Sequence, residues 1–254
     1  MRACAFLGGA LLTYQRTVVA LLNERLDIAI DPPVTTSLED IPALVGSGTA
    51  LFFLCGLPYT RYRDAGQPLQ PLVAPVSAHT PDLPPSYRSV LLGRPGLEGQ
   101  KIEDLDGLAL GINGYDSLSG WVLPVGAGLP LERVASTRVT GAHRASLDLL
   151  VAGEIDCATI DSMLLASEVA GAPAFGKLPE LATYGPAPSP PIVLVGGDSE
   201  LAELLGDTLS RLHLDGAGAG TLALGGMVRL DRVADATYDV VRGFDARAAA
   251  CTPS

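Results

Sequence analysis

Apolar residues fall into two alternating kinds of stretch along the 254-residue chain. Short unbroken runs such as 50–55 (ALFFLC), 108–112 (LALGI) and 192–195 (IVLV) read as strands, the first with the continuity of a strand buried on both faces. Between them lie stretches in which apolar positions recur every three or four residues, the spacing of a helix with one buried side. Strands alternating with helices imply a parallel α/β sheet.

In chain order the pattern predicts a strand over 3–7, turned by Gly8 and Gly9 into a helix over 12–24 that buries Val18, Val19, Leu21 and Leu22. A strand over 26–30, a short helix after Ser37, and strands over 50–55 and 69–75 follow. Further on, strands are expected over 87–92, 108–112, 133–140 and 155–160. Helices are expected from Leu118, over 143–152 and over 162–169. The first of these is interrupted by Pro124, Gly126 and Gly128, and the second is closed by Gly153. A strand over 192–195 and helices over 199–214 and 234–249 complete the chain.

Two proline-rich stretches, 77–85 and 184–191, bracket the middle of the chain and mark it as a separate α/β unit. Candidate chemistry concentrates within it, over 113–161. The run NGYDSLSGW places Ser117, Ser119 and Gly120 where a loop feeds a helix, and there the unpaired backbone N–H groups and the helix dipole favour an anion. Downstream, His143 opens a helix and Asp161 ends an apolar strand, where a carboxylate is costly unless paired or used. Ser117 and Ser119 also suit a plain N-cap role, and His143 a plain surface or capping role.

Composition narrows the ligand. A formal net charge of −11 disfavours nucleic acid and anionic membrane surfaces, so local donors and dipoles must hold any anion. With 48% hydrophobic and 18% charged residues, the chain is an ordered globular one. Its four cysteines form no CxxC pair and no metal spacing, and Cys55 and Cys157 are expected as buried thiols. GINGYDSLSG lacks the spacing of a dinucleotide fingerprint and the lysine of a P-loop, so no cofactor or metal is expected. No segment is long enough for a membrane span. The N-terminal apolar run serves as the first strand and lacks a cleavage site. A cytoplasmic location follows, with a periplasmic or extracellular one as the alternative for a chain trimmed of a signal sequence.

The segments FLCGLPY (53–59), YRSVLLG (87–93), EDLDGLALGINGYDSLSGW (103–121) and TGAHRASLDLLVAGEIDCATID (140–161) resemble, in order, the phosphate/phosphite/phosphonate substrate-binding proteins of ABC transporters. That resemblance implies the type 2 periplasmic binding protein fold: α/β, two lobes, each a mixed sheet flanked by helices, with the ligand cleft between them. It assigns residues 1–83 and 184–254 to the first lobe and 84–183 to the second. The implied ligand is small and anionic or zwitterionic, and an ABC permease is the implied partner. Site residues carried over are Gly56 and Tyr59 from the first lobe, and Tyr87, Asn113, Ser117, Leu118, Ser119, Gly120, His143 and Asp161 from the second. Leu118 departs from the family, whose members carry Thr or His there, and this removes one side-chain donor. The competing expectation is an enzyme on the same fold, with His143 and Asp161 as an acid/base pair.

Overall fold

The computed structural model describes residues 1–7 and 11–252. The chain divides into two compact units, Met1–Ser86 with Pro188–Asp239, and Tyr87–Ala187 with Val240–Ser254. The lobes expected from the sequence were 1–83 with 184–254, and 84–183. The last helix differs: it was expected in the first unit and belongs to the second.

The first unit holds strands β1 (Arg2–Ala5), β2 (Val34–Thr35), β3 (Ala50–Phe53) and β4 (Leu69–Ser77). Its helices are α1 (Leu12–Leu26), α2 (Ile41–Val45) and α3 (Gly56–Asp64). In the second unit come β5 (Ser86–Gly93), β6 (Leu108–Ile112), α4 (Leu123–Gly126), β7 (Val134–Val139), α5 (His143–Ala152), β8 (Cys157–Asp161), α6 (Ser162–Gly171) and β9 (Glu180–Pro188). The chain then returns through β10 (Ile192–Val195), α7 (Ser199–Ser210), α8 (Gly216–Leu224) and β11 (Met227–Arg232) to the terminal α9 (Asp239–Ala249).

The first sheet runs β11-β4-β10-β3-β1-β2. β1 lies parallel to β2 and β3, while β10 is antiparallel to β3 and β4. Every residue of β3 and β10 is buried, as the unbroken apolar runs require of inner strands. Val18, Val19 and Leu22 of α1 pack with Leu205 and Leu209 of α7 and Leu222 of α8 against Leu51, Phe53, Val73 and Leu194. Each such side chain contributes about 1.5–3 kcal/mol of transfer free energy.

Several elements depart from the pattern. Residues 26–30 form no strand: Asp27 ends α1 in the left-handed region, and the Asn23 amide bonds both the N–H and the carbonyl of Ile30. Side-chain hydrogen bonds thus replace a ladder there. Gly8 and Gly9 lie outside the described residues. α8, with three glycines in its first five positions, was not among the expected helices; Asp215 caps it, accepting from the Gly218 N–H at 2.9 Å, and its Leu222 enters the core. β9 covers most of the proline-rich stretch that marks the boundary.

In the second sheet, ordered β7-β6-β8-β5-β9, β6 is parallel to both β7 and β8. Three neighbouring strands therefore end at one edge, and each leads into a helix: β6 into the turn at 117–122, β7 into α5, and β8 into α6. The other side of β8 is antiparallel to β5, with Ser89 opposite Asp161. Val90, Leu92, Leu147, Leu150, Ile155, Ile160 and Phe175 form the core beneath α5 and α6.

α9 is tied to the same unit by named contacts. Arg247 Nε donates to the Gly126 carbonyl at 2.6 Å, and Trp121 Nε1 donates to Thr252 Oγ1 at 2.9 Å.

Candidate functional site

The parallel edge brings the starts of three helices together, as α/β sheets do at their ligand sites. Ser117 caps the first. Its Oγ accepts from the Gly120 N–H at 3.0 Å, and its carbonyl accepts from both Trp121 and Val122 N–H. The bond from Val122 spans five residues, so the helix opens on one wide turn, Leu118–Val122, before tightening into α4. The N–H groups of Leu118 and Ser119 precede any intrahelical acceptor and point out of the helix start.

Gly120 is required by proximity. A Cβ there would lie 1.7 Å from Asn113 Oδ1 and 3.0 Å from Ser117 Oγ. Asn113, directly after β6, thus packs its amide against the turn, and its Oδ1 is buried without a hydrogen-bond partner among the described residues.

Four buried polar side chains fix the turn from behind. Ser119 Oγ lies 2.9 Å from His143 Nε2, and His143 Nδ1 lies 3.2 Å from the Thr159 carbonyl. Thr159 Oγ1 donates to the Gly120 carbonyl at 2.5 Å, and Ser89 Oγ donates to the Ser119 carbonyl at 2.6 Å. All four residues are buried. Burial pushes the His143 pKa down to about 4, with the Thr159 carbonyl acting in the opposite direction. The ring is therefore neutral at pH 7. A carbonyl can only accept, so Nδ1 carries the proton and Nε2 accepts from the Ser119 hydroxyl.

Ser89 and Thr159 were not among the sequence candidates. For Thr159 the signal was present, a hydroxyl inside an apolar run buried on both faces; Ser89 follows the exposed Arg88 and gives no such signal.

Asp161 has a structural role. It caps α6, its Oδ1 accepting from the N–H groups of Met163 at 2.8 Å and Leu164 at 3.2 Å. Burial raises its pKa from 3.8 to about 6, against the pull of those two N–H groups. The folded state therefore binds the Asp161 proton more tightly than the unfolded chain, and stability falls as pH rises from 3.8 through 6. Asp161→Asn keeps the cap and removes the charge. Its melting temperature is expected to exceed the parent's above pH 6, with the gap closing toward pH 4. A constant gap across that range would remove Asp161 as the cause. His143 acts with the opposite sign, since its neutral form stabilises the fold above pH 6.5 and that stability is lost as pH falls toward 4.

Leu118 is buried at 1% exposure, so only its backbone is offered to a ligand. Tyr87, on β5, is also buried. Gly56 and Tyr59 sit in the first turn of α3 rather than on a loop beyond β3. Tyr59, expected as a ligand contact, is fully buried. Its hydroxyl donates to Asp235 at 2.6 Å and its ring packs edge-on against Tyr238 at 4.9 Å, so the side chain serves the core of the first unit. Tyr59→Phe is expected to lower the melting temperature by roughly 3–8 °C, the loss of one charge-assisted bond, and to leave ligand affinity unchanged. A tenfold loss of affinity in that variant would restore Tyr59 to the site.

The free cysteines are Cys4 and Cys157, both buried, the half-buried Cys55 and the exposed Cys251. Among the described residues no His, Cys, Asp and Glu cluster suits a metal, and no helix is long and apolar enough to cross a membrane.

Solved structures share this architecture. A binding protein component of an ABC phosphonate transporter from Pseudomonas aeruginosa is 14% identical, covering 96% of this chain and 85% of its own, with a TM-score of 0.78. PhnD1 from Prochlorococcus marinus, in complex with methylphosphonate, is 13% identical over 97% of both chains, with a TM-score of 0.79. The periplasmic aliphatic sulphonate binding protein SsuA from Escherichia coli is 14% identical, over 97% of this chain and 85% of its own, with a TM-score of 0.62. No curated protein sequence matches the chain. The fold is that of the type 2 periplasmic binding proteins, whose members here bind solutes rather than transform them.

Residues 12–238 match the family described as ABC transporter, phosphonate, periplasmic substrate-binding protein, and the chain belongs to that family. The family binds substrates and does not catalyse, so the acid/base reading of His143 and Asp161 is set aside; the Asp161 cap and the His143 bonds to Ser119 and Thr159 account for both residues. The family's periplasmic setting fits the alternative location and gives no support to the cytoplasmic one.

Proposed function

We propose that the chain is the solute-binding component for a small phosphonate- or phosphate-like oxyanion, anionic or zwitterionic, held at the turn 117–120 of the second unit and passed to an ABC permease. The observation that carries this is the convergence of three helix starts at one sheet edge. The first of them carries Ser117, Ser119 and Gly120 and is braced by His143, Thr159 and Ser89. Backbone N–H groups and the helix dipole supply a local positive end within a chain of net charge −11. Family membership and the methylphosphonate held by PhnD1 support the same ligand class.

Thermal-shift and isothermal titration with phosphate, phosphite, methylphosphonate and an aminophosphonate test it. A ligand at one hundred times its Kd stabilises by about 2.7 kcal/mol, or roughly 5–10 °C for a chain of this size. Melting temperatures unmoved by all four compounds would sink the proposal.

A further inference from the structure

We infer that this site takes its oxyanion singly protonated, the P–OH group donating to Ser119 Oγ, and so rejects isosteric anions that carry no proton. The inference rests on the proposed function above and concerns which ligand charge state that site accepts.

Proton counting at Ser119 carries it. Thr159 offers His143 Nδ1 a carbonyl at 3.2 Å, which fixes the ring proton on Nδ1. Nε2 then holds a lone pair, and the Ser119 hydroxyl, 2.9 Å away, must spend its only proton on it. Ser119 Oγ is therefore left with acceptor lone pairs only. Against the neighbouring Gly120, Asn113 Oδ1 is a buried acceptor without a donor among the described residues. The turn thus combines backbone N–H donors, which suit the charged oxygens of a ligand, with acceptors that a fully deprotonated oxyanion would meet as repulsion.

An anion without a proton can be accommodated only if His143 first gains one, which reverses the Ser119–His143 bond and frees the hydroxyl to donate. Burial of the ring opposes that step and holds the His143 pKa at about 4. The titratable groups on the elements around His143 do not offset it. Arg144 on α5 is paired with Asp148 and with Glu168 of α6. Cys157 is pushed up to about 12 and stays neutral, and Asp161 caps α6. Tyr115 and Asp116 lie in the turn itself.

Methylphosphonate and methanesulfonate form a matched pair that differs by this one proton. Titration calorimetry at pH 6 is expected to show methylphosphonate binding on the order of 100-fold or more tightly than methanesulfonate, because a site built around a ligand hydroxyl leaves its acceptor unpaired otherwise. Above the second ionisation of methylphosphonate its affinity should fall about tenfold per pH unit, with uptake of one proton read from two buffers of different ionisation enthalpy. His143→Ala frees the Ser119 proton and should collapse the preference between the two ligands. Equal affinities for the pair, or methylphosphonate affinity that holds or rises from pH 7 to 9, would overturn the inference while leaving the oxyanion site intact. Binding of no oxyanion at any pH would overturn the site and the inference together.

Discussion

Ser117→Asp is expected to keep the melting temperature within about 2 °C of the parent while abolishing oxyanion binding. Asp and Ser are equivalent N-caps, so the bond now made by Ser117 Oγ to the Gly120 N–H at 3.0 Å survives the change. The new charge, however, faces the same N–H groups that would hold the ligand, and two anions cannot share that start. Ser117→Asn is the uncharged control, with cap and binding both retained. Ser117→Ala costs about 1 kcal/mol through the lost cap and cannot separate the two roles. Melting curves together with titration of methylphosphonate decide the matter: binding that persists in Ser117→Asp would reduce the serine to a helix cap. Adding Ser119→Ala to Ser117→Ala would strand the His143 Nε2 lone pair in a buried site, at about 1–3 kcal/mol, so that variant is read only after its fold is checked.

Gly126→Ala is expected to destabilise the second unit, against the direction that helix propensity alone gives. Replacing a helical glycine by alanine normally stabilises by about 1 kcal/mol. Here the added Cβ would lie 2.5 Å from the Phe244 carbonyl oxygen and 2.8 Å from the Phe244 Cα, and both atoms are backbone. α9 must retreat as a whole, and overpacking of this kind costs roughly 1–3 kcal/mol. Arg247 and Thr252 then lose their bonds to the Gly126 carbonyl and to Trp121. A melting temperature several degrees lower, with faster hydrogen exchange over 239–249, is the expected result. A more stable variant would mean that α9 does not pack on this helix in solution.

How much of this was legible in the sequence follows from what each residue answers to. ALFFLC was read correctly as a strand buried on both faces, and IVLV as a strand, because an unbroken apolar run is a local signature. Gly153 was read as the end of α5 for an equally local reason. The failures are non-local. Residues 26–30 have strand composition, yet the Asn23 amide takes the backbone groups that a ladder would use. α8 was not among the expected helices and is held by Asp215 and the core beneath it. α9 carries nothing in its own pattern that names the unit it joins; that is set by a glycine more than one hundred residues earlier.

The placing of Ser117, Ser119, Gly120 and His143 at helix starts was legible because such starts carry local marks in sequence. Asp161 was legible as an unusual carboxylate, but its cap partners, Met163 and Leu164, make the role structural. For Tyr59 the sequence does not separate two roles, because a tyrosine one turn into a helix looks the same whether its hydroxyl meets a ligand or Asp235. Ser89 and Thr159 were missed because their task is to hold carbonyls of another segment, a contact that no single stretch displays.

The bonds from Ser89 and Thr159 to the carbonyls of Ser119 and Gly120 have a kinetic consequence. They set the turn when the chain folds, so the oxyanion proposed to bind there would meet an already ordered backbone. The entropy of shaping the cradle belongs to folding and is absent from the association step. Under the proposed function, capture at this turn would be governed by diffusion and desolvation, and the time a ligand stays bound would record how well its oxygens fit a geometry fixed before it came.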